Sequence, residues 1–295
     1  MTPIPGKLPF VKLHGCANDY VLVDGFALWS DRSHQDWGAI ARACADRRRS
    51  IGSDGLLVAL PPTSGVAAAR MAMFNPDGSE AEMCGNGLRC LGKFLFDRGR
   101  VEREFTIETR AGLVAMRIEQ YDSRGRATEL SLAIGVPDFT RAAVPMDGPD
   151  SPALDEPFRL AGRNLRISAL RLGNPHCVVF VDDVERYPVQ SVGPAIECDP
   201  RFPQRVNVEF VQIAGVGLLV QRTWERGVGE TQACGSGATA AAIIARKIHA
   251  FPETVRVQLR GGDLTVTWPG DGASARLCGP AAEAFEGVFD VGSTS

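Results

Sequence analysis

Lysine is scarce in this chain: only four of its 295 residues are lysine, at positions 7, 12, 93 and 247. None sits in a setting suited to a pyridoxal-phosphate Schiff base, which argues against that cofactor. There is no Walker A sequence and no GxGxxG following a strand, so the usual phosphate-binding signatures of nucleotide enzymes are missing. CxxC pairs and Cys/His zinc spacings are missing as well, and no metal site is expected. No segment reaches the roughly 18 consecutive apolar residues that a membrane span needs. The first residues, MTPIPGKLPFVKLHG, lack the basic stretch and apolar run of a secretory signal, so the expected location is cytoplasmic. A formal net charge of −3 offers no basic surface for nucleic acid or membrane.

What is present is the composition of a soluble globular protein, 44% hydrophobic and 23% charged, in a chain long enough for two domains. Eight cysteines are scattered at 16, 44, 84, 90, 177, 198, 234 and 278. In a reducing compartment they are expected to be thiols, most of them small core residues. Two of them differ in their local sequence. Glu-x-x-x-Cys-Gly-x-Gly occurs at Glu80–Gly87 and again at Glu230–Gly237, a step of 150 positions. At the same step Phe74 matches Trp224, Arg110 matches Arg260 and Gly112 matches Gly262. A repeat this long indicates a duplicated domain, because solenoid repeats are much shorter.

The hydrophobic pattern predicts short strands at 21–23, 56–59, 131–134, 177–181, 208–211 and 218–223, with a further pair around 109–112. Turn signals at 260–263 and 269–272 suggest a C-terminal meander. Helices are expected at 37–46, after Cys84 up to Gly99, and after Cys234 up to Pro252. The last of these, ATAAAIIARKI, is apolar nearly all round in its first turns and should be enclosed by other structure. The expected fold is therefore α+β, with two pseudo-symmetric domains that each wrap a mostly antiparallel sheet around a central helix. The expected domains are 1–134 and 135–280, with the final strand, about 281–295, left open to either half.

Each motif places a cysteine and a Gly-x-Gly where a loop enters a helix. The first N–H groups of a helix are unpaired and its dipole favours negative charge there, so a carboxylate or phosphate can be held. The same field favours thiolate over thiol. Two such sites around one anionic group could take a proton from one face of a carbon and return it on the other, as racemisation requires. On these residues alone, a thiol redox pair or a non-catalytic anion cradle fits as well. Glu80 and Glu230 are read as structural acids near helix starts. Asn174 before Pro175 reads as an ordinary turn.

The segments HGCANDYVLVD at 14–24, FNPDGSEAEMCGNGLRC at 74–90, GNPH at 173–176, RVNVEF at 205–210 and WERGVGETQACGSGA at 224–238 resemble the diaminopimelate epimerase family, cofactor-independent isomerases with two catalytic cysteines. The resemblance runs in order through nearly the whole chain. It implies conversion of LL-2,6-diaminopimelate to the meso isomer, without a cofactor, in lysine and peptidoglycan precursor synthesis, by a homodimer. It also implies that Cys84 and Cys234 are the catalytic bases and that His176 and Glu225 tune the thiols. The backbone of Gly85, Asn86, Gly235 and Ser236 would hold the reacting carboxylate. Asn18, Asn75, Asn174, Asn207, Glu225 and Arg226 would bind the rest of the substrate. The chain departs from the family pattern in some places: HGCANDY stands where HGLGNDF is typical, placing Ala17 where a glycine is usual, and Gly55 stands where glutamine is common. A racemase of another amino acid from the same superfamily is the alternative.

Overall fold

The computed structural model describes residues 6–26, 35–160 and 162–291. The chain divides into two compact units. One is formed by residues up to Leu132 together with the segment from Gly279 onward, and the other by Ala133–Cys278. The fold is α+β, and most strand pairs are antiparallel.

In the first unit, Lys7–Gly15 and Asn18–Asp24 form a hairpin whose two-residue loop is Cys16-Ala17. Both loop residues have positive φ, 51° and 62°. A two-residue hairpin loop with two left-handed residues matches the right-handed strand twist, but only glycine adopts that conformation without cost. This is the physical reason a glycine suits position 17. Asn18–Asp24 then runs parallel to Gly55–Leu60, which pairs antiparallel with Ala69–Phe74. Ala282–Asp290 pairs antiparallel with Lys7–Gly15. Helix α1, Trp37–Ala45, is capped by Asp36, whose side chain accepts from Ala39 N at 2.9 Å. It buries Ile40, Ala41 and Cys44 against Leu8, Val21, Leu56 and Val58. Helix α2, Gly85–Asp97, is buried without interruption from Asn86 to Leu95, so protein surrounds it on every side.

The second unit repeats the plan. Asn174–Phe180 runs parallel to Asn207–Gly215, which pairs antiparallel with Leu218–Glu225. Helix α3, Val189–Glu197, lies outside the sheet, and helix α4, Gly235–His249, lies within, with Gly237–Ala245 fully buried. The sequence pattern suggested no helix at Val189–Glu197, because it contains Gly193 and Pro194. The glycine has a packing role: a Cβ there would fall 2.6 Å from the Trp224 ring.

The duplication is visible in paired details. The parallel pair Ala69 with Ile107 recurs as Leu219 with Val257, each residue 150 positions on. Arg110 pairs with Glu80 at 3.3 Å, and Arg260 pairs with Glu230 at 3.0 Å. Ala111 N donates to Glu82 O, and Gly261 N donates to Gln232 O. In each unit these contacts tie a hairpin turn to the loop that leads into the central helix.

Candidate active site

Cys84 is the N-cap of α2, with extended backbone (φ −144°, ψ 116°). Its Sγ accepts from Gly87 N at 3.4 Å and lies 3.2 Å from the Tyr20 hydroxyl. The N–H groups of Gly85 and Asn86 begin the helix and have no intrahelical acceptor. Burial, and then the neighbouring Cys84 sulfur, push the Tyr20 phenol well above its ordinary range, so it stays a neutral donor. Asn86 is buried, and its Oδ1 accepts from Arg89 Nη2 at 2.7 Å. Arg89 is itself fully buried, and its other bonds go to Pro280 O and Cys16 Sγ, so none of these partners is a carboxylate. Asn18 follows the left-handed turn and has a buried Oδ1 without a hydrogen-bond partner. Asn75 donates to Ser79 Oγ at 3.0 Å. Gly55 pairs in register with Tyr20, and a Cβ at Gly55 would meet Phe74 O at 2.9 Å.

Cys234 is the N-cap of α4, again with extended backbone (φ −125°, ψ 112°). Its surroundings are acidic. Burial, then the Glu225 and Glu209 carboxylates, push this thiol well above its ordinary range, while Ser236 Oγ at 3.5 Å and the Gly237 amide work the other way. Glu225 is raised in turn, first by its own burial, although it accepts from Thr231 Oγ1 at 2.5 Å and lies within hydrogen-bonding reach of the Cys234 thiol. Glu209 is completely buried. Its Oε1 meets His176 Nδ1 at 2.8 Å, and its Oε2 accepts from Thr223 Oγ1 at 2.7 Å and Gln221 Nε2 at 2.8 Å. The other ring nitrogen of His176 lies 2.8 Å from Asn174 Oδ1. Gly237 is required here, since a Cβ would come within 2.4 Å of the Glu209 carboxylate.

Of the expected residues, Asn86 stands behind Cys84 bonded to Arg89 in the first unit, and in the second Asn174 and His176 are joined in one hydrogen-bonded chain that ends at the buried Glu209. Asn207 is also committed: it donates to Pro175 O at 2.8 Å and accepts from Arg226 N at 2.9 Å. It therefore fixes the backbone from which the exposed Arg226 projects. The Arg226 guanidinium donates to Gln204 O at 3.2 Å. Helix α3 supports the same turn through Glu197, which accepts from Trp224 Nε1 at 2.7 Å and Gly227 N at 2.9 Å. Sequence reasoning missed Tyr20, Glu209, Arg89 and Glu197. The polar atoms of Tyr20 and Glu209 sit inside strands that read as apolar.

The fold is one shared with epimerases and related enzymes. A hydroxyproline epimerase from Agrobacterium vitis superposes with a TM-score of 0.70 at 17% identity, covering 98% of this chain and 94% of that one. A Bacillus anthracis phenazine biosynthesis protein of the PhzF family gives 0.67 at 18% identity, covering 96% of this chain and 99% of that one. The family profile for diaminopimelate epimerase matches residues 10–131 and 168–282. Diaminopimelate epimerase from Moorella thermoacetica is 43% identical over 96% of this chain and 99% of the relative. The enzyme of that name from Geobacillus kaustophilus is 45% identical over 95% of this chain and 96% of the relative. The chain belongs to the diaminopimelate epimerase family and is an isomerase. No helix among the described residues is long and apolar enough to cross a membrane.

Proposed function

We propose that the chain epimerises LL-2,6-diaminopimelate to the meso isomer by a two-base mechanism, with Cys84 and Cys234 on opposite faces of the α-carbon. One observation carries the reading: two repeat-equivalent cysteines each cap a buried helix whose first N–H groups are unpaired, and they do so in chemically different surroundings. The N–H groups of Gly85 and Asn86, with those of Gly235 and Ser236, hold the α-carboxylate, which becomes more electron-rich as the proton leaves. One sulfur takes the α-proton and the other supplies a proton to the opposite face, so atoms and charge balance without a cofactor. Cys234, held as a thiol beside Glu225, is the donor in the first turnover and Cys84 the acceptor. His176 acts on Cys234 through Glu209, and Glu225 acts on it directly.

Substrate selection follows from the same residues. Arg226 offers a planar fork to the distal carboxylate. Asn18 presents an unsatisfied buried carbonyl that suits an ammonium N–H, and Asn75, Asn174 and Asn207 complete the polar lining. The enzyme works as a cytoplasmic homodimer in lysine and peptidoglycan precursor synthesis.

The test is proton NMR of reduced protein with LL-diaminopimelate in D₂O, with Cys84→Ser and Cys234→Ser alongside. Loss of the α-proton signal with appearance of the meso isomer in the wild type, and its collapse in both variants, is the expected result. A folded, reduced wild type that leaves this substrate unchanged while racemising proline or histidine would overturn the substrate assignment.

A further inference from the structure

We propose that Tyr20 is a positioning residue of the reaction, its buried hydroxyl donating to Cys84 Sγ so that the sulfur is held as thiolate, ready to accept a proton. The inference rests on the assignment of Cys84 as a base and adds a group that assignment does not contain.

The geometry favours a fixed donor. Tyr20 is 2% exposed, so little water competes for its hydroxyl, and the oxygen lies 3.2 Å from the sulfur. Strand register fixes Tyr20 on both sides, paired with Leu13 on one strand and Gly55 on the other. Position 55 lies directly beside the ring, since a Cβ there would lie 3.7 Å from Tyr20 Cδ1, ordinary van der Waals contact. In the second unit the same register position, the residue paired with Asn207, is occupied by His176. There the ring meets Glu209 at 2.8 Å, and Glu209 acts on Cys234. The duplicated scaffold thus uses one strand position in each unit to serve its cysteine, directly in one and through a carboxylate in the other.

Besides Cys84, the ionisable groups that bear on Tyr20 are Cys90 and Asp54, and Cys90 in turn faces Arg89, Cys16 and Lys93. Asp54 is paired with Arg47 at 2.7 Å and Lys93 with Asp97 at 2.8 Å, while Arg89 is bonded as described above. When Cys84 accepts the α-proton, the C–H bond breaks, an S–H bond forms and the electron pair remains on the substrate. Tyr20 keeps its own proton throughout, and its hydrogen bond weakens as the sulfur becomes neutral. It therefore favours the thiolate over the thiol without being consumed.

The test is the pH dependence of iodoacetamide labelling at Cys84, read peptide by peptide by mass spectrometry in the full chain, wild type against Tyr20→Phe. The expected result is an upward move of the Cys84 midpoint by about one pH unit, a roughly tenfold lower labelling rate at neutral pH, as befits loss of one charge-assisted hydrogen bond. The Cys234 profile should stay in place. Substrate α-proton exchange should fall by a similar factor at neutral pH and recover as the pH rises, a recovery that a purely structural defect would not show. A folded Tyr20→Phe protein whose Cys84 midpoint moves by less than roughly 0.3 units overturns the proposal. Should that variant not fold, fluorotyrosine can replace all three tyrosines. The more acidic phenol is a stronger donor and should move the midpoint down, whereas an unchanged midpoint overturns the proposal. Labelling needs no substrate, so a shifted midpoint in a protein inactive on diaminopimelate would fault the substrate assignment and leave the Tyr20 contact standing.

Discussion

The surroundings of Cys84 and Cys234 share a backbone arrangement and differ in charge. Behind Cys84 the chain places a neutral phenol and, one helical turn further along, a buried guanidinium. Around Cys234 it places two carboxylates and a histidine tied to one of them. Register identifies the matching positions. Tyr20 pairs with Gly55 as His176 pairs with Asn207, and two positions along the strand Leu57 stands where Glu209 stands in the second unit. Ion pairs outside the sites, Glu80 with Arg110 and Glu230 with Arg260, recur unchanged in kind. Duplication thus preserved the frame that delivers a sulfur to a helix start, while substitutions at a few strand positions surrounded the two sulfurs with different charges. A two-base reaction needs one sulfur protonated and the other not at the start, and the two roles exchange with each turnover.

The largest expected effect comes from removing either sulfur. Cys84→Ala and Cys234→Ala should each lower the rate of meso-isomer formation by roughly 10²–10⁴-fold, the usual worth of a positioned acid or base. Chiral chromatography of the product reads this, and a variant retaining half the rate would mean that one cysteine suffices. Next is the buried carboxylate that distinguishes the second unit. Glu209→Ala leaves His176 without its carboxylate and strands two donors, so the denaturant midpoint should fall by an amount equivalent to about 3–5 kcal/mol. A loss below about 1 kcal/mol would mean the network contributes little to the fold.

The difference in charge can be sharpened from the acidic side. Glu225→Gln removes a carboxylate beside Cys234, so thiolate forms more readily and its alkylation at neutral pH should rise several-fold, with the Cys84 rate unmoved. The raised thiol also has a consequence for stability. A group whose titration in the folded state lies above its unfolded value of about 8.5 stabilises the fold fully below that pH and progressively less as the pH rises. Cys234→Ala should therefore flatten the loss of stability in mildly alkaline solution. The smallest effect concerns the hairpin before Asn18. Ala17 adopts φ 62°, and Ala17→Gly should raise stability by roughly 0.5–1 kcal/mol, measured as a small rise in melting temperature.

Much of this arrangement is legible before any coordinates are known, and the reasons are local. A cysteine followed by Gly-x-Gly and an apolar run announces a helix start, and its recurrence 150 residues later announces the duplication. The enclosed helix after Cys234 could be read from its composition because few exposed residues interrupt it. Glu209 was illegible for the opposite reason. In a strand an isolated charge among apolar residues reads as solvent-facing, and only the third dimension shows that His176, Thr223 and Gln221 satisfy it. Tyr20 looked like one more core residue in NDYVLVD, since nothing in a linear sequence reveals that its hydroxyl ends at a sulfur. Helix α3 escaped because Gly193 and Pro194 weaken any helical pattern, and the packing of Trp224 against that glycine supplies what propensity does not.

The most direct test of the unequal thiols is to follow iodoacetamide labelling of Cys84 and Cys234 in the same wild-type sample from mildly acidic to alkaline pH. The account predicts two separate profiles, with Cys84 reacting at the lower pH and Cys234 only at the higher. Coincident profiles, or Cys234 reacting first, would contradict it.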